Sequence, residues 1–359
     1  MNDEPTALPA AAVADAPVAP SISLVLGSGG ARGYAHIGVI EELVAQGYAI
    51  RSIAGSSMGA LVGGIYATGK LGVFSDWVRP MQRMDVLRLL DWTLFGGGFI
   101  KGDRIIAALK KLIGDINIED LPIPYTAVAV DLDVQREVWF SRGPLFDAIR
   151  ASIAIPTVLR PHYYEGRTLV DGGLLNPVPI TPTLRDLTDC TIAVDINAPA
   201  EQFGEAPDAS TTAATDSTFG SVAGVLVDES SPVQASAPDT EAVAEDDGGG
   251  EALPPTTEPP APPSYKQRIA DFINGLVERR EKAVSADDPG LLELFARSLD
   301  VVQETITRFK LAAQPPDLII RIPRNVCAFY EFHRAEEVIE LGRERTREAL
   351  THWQRPRAG

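Results

Sequence analysis

The chain has 359 residues and a formal net charge of −17, and that charge is concentrated in two segments. Residues 1–31 and 201–264 hold sixteen acidic residues and no Lys or Arg, so the remainder is close to neutral. Acidic segments that are poor in aromatic and branched residues bury too little apolar surface to become ordered, and their sign opposes nucleic-acid binding. We therefore expect a disordered arm at 1–20, a disordered acidic and proline-rich insertion at 200–264, and no nucleic-acid partner.

The cysteines and the N-terminus bear on the compartment. Cys190 and Cys327 stand far apart and outside any metal-ligand or redox spacing, which favours a reducing compartment. The N-terminus lacks the basic and apolar regions of a signal peptide, and no apolar run reaches the roughly 18 residues of a membrane span. We expect a cytoplasmic protein that visits at most the inner face of the membrane. The acidic insertion is a candidate segment for binding an unknown protein partner.

Short apolar, β-favouring runs alternate with segments of helical period along the rest of the chain. This alternation predicts an α/β fold, a three-layer sandwich with a mostly parallel central sheet. The runs are apolar at every position, as expected for strands that are buried on both faces. Residues 21–199 are predicted to form the catalytic region, and 265–355 to supply helices and a strand that complete the same domain. Predicted strands begin at Ile22, Thr126, Arg136 (as a local hairpin), Thr191 and Asp317, and predicted later helices cover 269–277, 291–309 and about 333–353.

A glycine-rich loop follows the first strand. Residues 27–33 read GSGGARG, and a helix then begins that Gly47 ends. A dinucleotide fingerprint would need an acid at the end of the second strand, and a P-loop would need Gly-Lys-Ser/Thr; the sequence has neither. What remains is a strand-to-helix loop whose backbone N–H groups lie at the positive end of a helix and suit an oxyanion. A glycine-rich turn that serves only packing is an equal alternative for this loop alone.

A second motif, GSSMG at 55–59, has the form G-x-S-x-G with Ser57 in the middle. It lies directly after the apolar second strand and before a predicted helix at 60–68. This is the context of a nucleophile elbow, in which a sharp strand-to-helix turn strains the central residue and exposes its hydroxyl. Gly55 and Gly59 leave room for neighbouring backbone. A chance match to the bare pattern is the alternative, and this context weakens it.

A third motif places an acid at the end of a predicted strand. Asp171 is followed by Gly172 and Gly173, which let the backbone turn sharply and bring the carboxylate to a cleft. Asp-Gly is also a common turn signal. Taken alone, Asp171 is better interpreted as a turn residue.

Together and in this order, GSGGARG, GSSMG and DGG resemble the patatin-like phospholipase family. AIRASIAIPTVLRP at 148–161 is similar to the family segment that leads to the acid, while DGGLLNPVP and FHRAEEVIELG resemble its bacterial cytoplasmic branch. The resemblance covers about 22–197 and 265–350. One departure is Ser28, where many members have glycine, and it changes little if the backbone N–H is the working group.

The resemblance implies a lipid acyl hydrolase that cleaves carboxylic esters of phospholipids or lysophospholipids. Residue by residue, it makes Ser57 the nucleophile, Asp171 the proton acceptor and the amides of Gly29 and Gly30 the oxyanion hole. Arg32 would steady that loop or face a lipid phosphate. The mechanism needs no metal and no cofactor, and the lipid substrate and a transient membrane surface are the implied partners.

The predicted mechanism also needs no histidine. In an α/β-hydrolase triad the histidine follows the acid in the chain, and here only His333 and His352 follow Asp171. Both belong to a helical stretch, which does not suit a triad base. His36 and His162 precede the acid, and each is more often a packed or surface residue than a catalyst.

Other functions and segments stay open at this point. An acyltransferase or thioesterase would act on a thioester with a histidine beside Ser57, and a regulatory protein would keep the fold without catalysis.

The Leu-, Met- and Trp-rich segment 81–99 suits a mobile acyl-chain wall or membrane-touching lid, or equally an ordinary core helix and loop. Segment 266–282 is amphipathic with basic ends, and packing on the sheet explains it slightly better than interfacial binding.

Overall fold

A computed structural model describes residues 19–91, 98–201 and 291–353, all of them in one compact unit. The predictions for residues 1–18 and for most of the acidic insertion lie outside the described residues, as do those for the helix at 269–277 and the amphipathic segment 266–282. No helix in the described ranges is both long and apolar enough to cross a membrane.

The centre of the fold is a mixed, mostly parallel sheet. Among the described residues it has eight strands in the order β10-β9-β1-β2-β4-β8-β7, with β5 also paired to β4. Pairings from β10 to β4 are parallel, whereas β5, β8 and β7 pair antiparallel at one end, and β3 pairs with β6 in a small separate sheet. The strands are β1 (Ser21–Leu26), β2 (Ala49–Ser56), β3 (Gly98–Ile100), β4 (Tyr125–Asp131), β5 (Arg136–Phe140), β6 (Thr157–Leu159), β7 (His162–Tyr164), β8 (Arg167–Asp171), β9 (Cys190–Ala198) and β10 (Leu318–Pro323).

Helices flank this sheet, so the predicted three-layer α/β architecture is confirmed. The five strands predicted from apolar runs are all present, and so are the helices predicted after the glycine loop, after the serine motif, and at 291–309 and 333–353. The described helices are α1 (Ala35–Ala45), α2 (Met58–Ala67), α3 (Leu71–Val78), α4 (Arg83–Leu89), α5 (Asp103–Ile113), α6 (Leu145–Ser152), α7 (Leu291–Ala313) and α8 (Ala335–His352).

Strand β1 shows why its sequence is mostly apolar. Leu24 and Leu26 point into the main core, whereas Val25 packs on the opposite face with Val178 and Ile180. Because successive side chains of a strand point to opposite faces, a strand covered on both sides favours apolar residues at every position. The buried Ser23 is an exception, and its hydroxyl is hydrogen-bonded to Thr188.

Strand β4 brings the ends of β2 and β8 together. Because β5 occupies one edge of β4, β2 and β8 share the other edge. Strand β2 runs parallel to β4 and ends with Ser56 opposite Val128. Strand β8 runs antiparallel and ends with Asp171 opposite Ala129. The two strands thus approach from opposite directions and meet at neighbouring residues of β4.

Candidate active site

Ser57 forms the sharp turn between β2 and α2. Its backbone has φ 54° and ψ −123°, in the region that residues with a side chain rarely adopt. The flanking glycines are required by close backbone approach: a Cβ on Gly55 would overlap the carbonyl of Gly59, and a Cβ on Gly59 would overlap the carbonyl of Leu26. The GSSMG segment therefore has the strand–turn–helix geometry of a nucleophile elbow.

The hydroxyl of Ser57 donates directly to Asp171, with 2.6 Å between Oγ and Oδ2. Both side chains are buried, and the N–H of Gly173 donates to Asp171 Oδ1 at 2.7 Å. Burial raises the pKa of Asp171 from 3.8 to about 7, against the opposing effect of the hydrogen bonds from Ser57 and Gly173. We call Ser57 and Asp171 the dyad. A carboxyl group with a pKa near neutrality can both accept and return a proton at neutral pH.

Ser152, at the end of α6, supports the elbow from behind. Its Oγ accepts the backbone N–H of Ser57 at 2.9 Å and donates to the carbonyl of Val128 at 2.6 Å. The strained backbone of Ser57 is thereby tied to β4. The sequence does not reveal this role of Ser152, because no spacing rule connects it with a motif 95 residues away.

The two glycines after Asp171 leave no room for a side chain. A Cβ on Gly172 would overlap the carbonyl of Val128, and a Cβ on Gly173 would overlap Ser28 Oγ. The chain can therefore turn directly behind the acid only with glycine at these positions. This contact also places the glycine-rich loop against the segment that carries Asp171.

Two backbone N–H groups of the glycine-rich loop, near the dyad, have no backbone partner among the described residues. Ser28 and Ala31 donate their N–H groups to carbonyls of other loops. Within the described part of the chain, no backbone hydrogen bond from the N–H of Gly29 or Gly30 is found. Gly30 lines the same cavity as Ser57. This arrangement suits the predicted oxyanion hole, whose role stays a prediction.

Arg32 is buried and directed into the protein. Its Nε donates to the carbonyl of Gly29 at 3.1 Å, and its Nη2 pairs with Asp300 of α7 at 2.8 Å. The geometry therefore favours the first of the two predicted roles, steadying the loop, over contact with a lipid phosphate.

Ser28 has a contact that the sequence did not indicate. Its buried hydroxyl accepts from Gln303 Nε2 of α7 at 3.4 Å, and its carbonyl accepts from Asn197 Nδ2 at 2.7 Å. The side chain at this position thus joins the glycine-rich loop to α7. A glycine would lack that link.

None of the four histidines, all of which lie in the described residues, hydrogen-bonds to the dyad. His36 is buried, donates from Nε2 to the carbonyl of Gly27 at 2.8 Å, and has its pKa lowered to about 4 by burial. It is therefore a neutral residue that holds the start of the glycine-rich loop. The others lie elsewhere: His162 beside Asp147, His333 beside Arg83, and His352 at the end of α8.

An apolar cavity of about 150 Å³ opens at Ser57. Its wall includes Met81, Val86, Leu89 and Leu90 from the Leu- and Met-rich segment, although α4 itself has no fully buried residue. The geometry therefore favours an acyl-chain wall over an ordinary core helix; residues 92–97 lie outside the described ranges. The remaining wall comes from α2, α3, α5 and nearby loops, and includes Leu61, Phe74, Trp77, Ile105 and Leu109.

In residues 19–91, 98–201 and 291–353, no group of three or more His, Cys, Asp and Glu side chains is placed to hold a metal ion. Among the described residues, the titratable side chain that hydrogen-bonds to the Ser57 hydroxyl is Asp171. This arrangement can transfer a proton between the Ser57 hydroxyl and the Asp171 carboxylate, next to an apolar cavity.

Comparison with known proteins places the chain in a family. The sequence model described as patatin-like phospholipase matches residues 24–184, which contain all three motifs. An uncharacterized NTE family protein of Mycobacterium bovis is 42% identical over 345 residues, which are 92% of this chain and 91% of that protein. The chain belongs to the patatin-like phospholipase family. The resemblance inferred from the motifs is confirmed, while the cytoplasmic compartment and the residue roles stay predictions.

More distant relatives share only part of the chain. A protein named lysophospholipase NTE1 of Saccharomyces cerevisiae is 32% identical over 186 residues, which are 50% of this chain and 11% of that protein. The crystal structure of VipD from Legionella pneumophila matches with a TM-score of 0.34 and 15% identity over 50% of each chain. That structural similarity is too low to carry an argument about function.

Proposed function

We propose that this patatin-like protein is a serine lipid acyl hydrolase, with Ser57 as nucleophile and Asp171 as its base. The observation that carries the proposal is the direct 2.6 Å hydrogen bond from Ser57 Oγ to Asp171 Oδ2. A nucleophilic serine needs an adjacent base that accepts its proton. Here the base is the carboxylate itself, with no residue between the two groups.

The chemistry then proceeds in two halves. Ser57 Oγ attacks the ester carbonyl carbon while Asp171 takes its proton, and the N–H groups of Gly29 and Gly30 stabilise the tetrahedral oxyanion. Collapse of this intermediate breaks the ester C–O bond, and Asp171 returns the proton to the departing alcohol. Asp171 next takes a proton from water, whose oxygen attacks the acyl-enzyme; breaking of the bond between the acyl carbon and Ser57 Oγ releases the fatty acid, and Asp171 returns the proton to Ser57 Oγ.

The apolar cavity supports a substrate with a hydrocarbon chain. Apolar cavities of this kind stay dry and bind hydrocarbon groups, so the cavity beside Ser57 suits the acyl chain of a phospholipid or lysophospholipid. The name of the yeast relative, a lysophospholipase, supports the same substrate class. Segment Met81–Leu90 would act as one wall of the acyl site.

The two alternative functions have less support. An acyltransferase or thioesterase that uses a histidine would need an imidazole at Ser57. The hydroxyl of Ser57 instead donates to Asp171, and His36 bonds to Gly27. A regulatory protein without catalysis would have no need to keep a strained serine beside a buried carboxyl group. These geometric observations favour the hydrolase.

A fluorophosphonate probe tests the proposal, because it reacts with an activated serine. We expect labelling at Ser57, loss of labelling in Ser57→Ala, and retained labelling in Ser56→Ala, which removes the neighbouring buried hydroxyl as a matched control. A panel of phospholipid, lysophospholipid and acyl-CoA substrates then separates the enzymes. Absence of labelling in the folded protein would support the regulatory alternative, and turnover of acyl-CoA alone would support the thioesterase.

A further inference from the structure

Helix α7 exposes an apolar face along its length. Its exposed positions recur three or four residues apart, the spacing that places side chains on one side of a helix. Four large apolar residues on this face are between 49% and 73% exposed. We call it the outer face of α7; it consists of Leu294, Arg297, Ser298, Val301, Val302, Thr305, Arg308, Phe309 and Ala312.

The opposite side of α7 faces the protein and carries both polar and apolar residues. Gln303 and Thr307 are buried there, Asp300 pairs with Arg32 of the glycine-rich loop, and Leu311 packs on the core. A helix on the surface of a globular protein ordinarily turns polar side chains to water. Helix α7 instead turns four large apolar side chains outward, and an exposed apolar surface of this kind marks an interaction site.

The charges on α7 are divided between its two sides. Arg297 and Arg308 are exposed on the outer face, and the exposed positions from 294 to 313 include no acid. The carboxylate of Glu304 is only partly exposed and pairs with Arg324 and Arg308. In a chain with a net charge of −17, an outer face that is apolar and carries only basic charges is complementary to an anionic partner.

Helix α7 also lies next to the dyad. On the side that turns to the protein, Phe295, Ala296 and Leu299 of α7 line a small cavity together with Gly30 and Asp171. A surface that binds to the outer face of α7 is therefore separated from this cavity by the width of one helix.

We propose that the outer face of α7 docks on the surface of an anionic lipid bilayer. A helix with apolar residues and flanking arginines binds in the plane of the bilayer surface, with its apolar side chains among the lipids and its arginines on anionic headgroups. The choice of a bilayer over a protein rests on the proposed function, because a lipid hydrolase must take its substrate from such a surface. A bilayer bound there lies against the helix that lines the cavity beside Asp171.

The test measures binding of the full chain to vesicles, with Ser57→Ala in every variant so that the lipids stay intact. The vesicles contain phosphatidylcholine alone or phosphatidylcholine with phosphatidylglycerol, and the bound fraction is measured by cosedimentation. Val301→Asp/Phe309→Asp changes the outer face. Val134→Asp/Leu187→Asp is the matched control, because it adds the same charge at apolar side chains that are 60% and 101% exposed outside α7.

We expect the unchanged outer face to bind phosphatidylglycerol vesicles in preference to phosphatidylcholine vesicles. The Val301→Asp/Phe309→Asp protein should bind about tenfold more weakly or worse, since two apolar side chains no longer enter the lipid. The control double variant should change binding by about twofold or less, and Arg297→Gln/Arg308→Gln should remove the preference for phosphatidylglycerol. Thermal melts confirm that each variant is folded.

A second measurement reports the position of the helix. The native cysteines are buried, so Phe309→Cys can be labelled selectively with an environment-sensitive dye. We expect its emission to shift to the blue when phosphatidylglycerol vesicles are added. Equal binding of the two double variants, or an emission unchanged by vesicles, would overturn the proposal. A blue-shifted emission that depends on protein concentration without vesicles would overturn it in favour of a second copy of the chain. These experiments measure binding and not hydrolysis. Their result can therefore be interpreted even if the protein proves not to be a hydrolase.

Discussion

Asp171 can accept a proton from Ser57 only when its carboxyl group is ionised. Burial raises the pKa of Asp171 to about 7, so the ionised form is gained as pH rises through that value. We expect kcat on a soluble ester to rise with pH through an apparent pKa near 7, and Asp171→Asn to be inactive at every pH because an amide cannot accept the proton. Repeating the pH profile at several temperatures identifies the group, because the pKa of a carboxyl group changes little with temperature and that of an imidazole changes strongly.

The raised pKa of Asp171 also affects stability. Its stabilising contribution falls as pH rises, whereas the expected activity rises. A carboxyl group whose pKa is higher in the folded than in the unfolded protein favours folding in its neutral form. Its contribution is greatest below the unfolded value of 3.8 and is lost as pH rises through about 7. We therefore expect Asp171→Asn to melt at a higher temperature than the wild type at about pH 8, and the difference to shrink at about pH 4. A difference that is the same at both values would contradict the raised pKa.

Replacement of each histidine should leave the chemical step in place. We expect His36, His162, His333 and His352, changed one at a time to Gln or Asn, to keep kcat within about tenfold of wild type. His36→Asn should also lower the free energy of unfolding by about 1–3 kcal/mol, because it removes the buried hydrogen bond to Gly27. A loss of several orders of magnitude in any variant that circular dichroism finds folded would replace the dyad with a triad.

At the residue scale, the sequence identifies candidate site residues whose local motif requires a particular backbone conformation. Ser57 stands in a strand–turn–helix context, and Asp171 stands before two glycines, so each could be singled out from its neighbours. Ser152 and Gln303 could not, because each acts through contacts with residues that are distant along the chain. Their roles follow from the register of the strands and from the docking of α7, which one sequence does not determine.

Under the proposed function, the helices around the apolar cavity select which acyl chains can enter. Ile105 of α5 lines the cavity, whereas the next residue, Ile106, packs on the core outside its wall. We expect Ile105→Trp to fill part of the roughly 150 Å³ space and to lower kcat/KM for long-chain relative to short-chain esters by about tenfold. Ile106→Trp adds the same group at a half-buried neighbour and should leave that ratio unchanged. Equal ratios in the two variants would place the acyl chain elsewhere.

The sequence predicts the strands and helices whose hydrophobic periodicity is strong. It does not predict those that depend on tertiary contacts. The strands β1, β4, β9 and β10 and the long helices α7 and α8 have clear patterns, and the sequence predicts them. The short strands β3, β6 and β7 have three residues each, too few for a pattern. The direction of β8 could not be predicted either, because pairing with β4 determines it.

At the scale of the whole molecule, most of the net negative charge lies in the N-terminal arm and the acidic insertion. Deleting residues 203–262 should leave thermal stability and turnover of soluble esters nearly unchanged, because the segment is too polar to contribute to a core. Binding to anionic vesicles should become tighter, since the deleted part holds almost all of the thirteen negative charges of 201–264, and the gain should fade at high salt. A strong fall in the melting temperature would mean that the segment packs against the rest of the protein.

The meeting of β2 and β8 on one edge of β4 has a consequence for the order of folding. The nucleophile and its base are 114 residues apart, so a nascent chain carries Ser57 long before it carries Asp171. Until β8 has paired with the free part of that edge, Ser57 lacks the carboxylate that the proposed mechanism uses as proton acceptor, and we expect the partly synthesised chain to be unreactive. The rate at which a refolding chain becomes reactive towards a fluorophosphonate therefore reports when β8 joins the sheet.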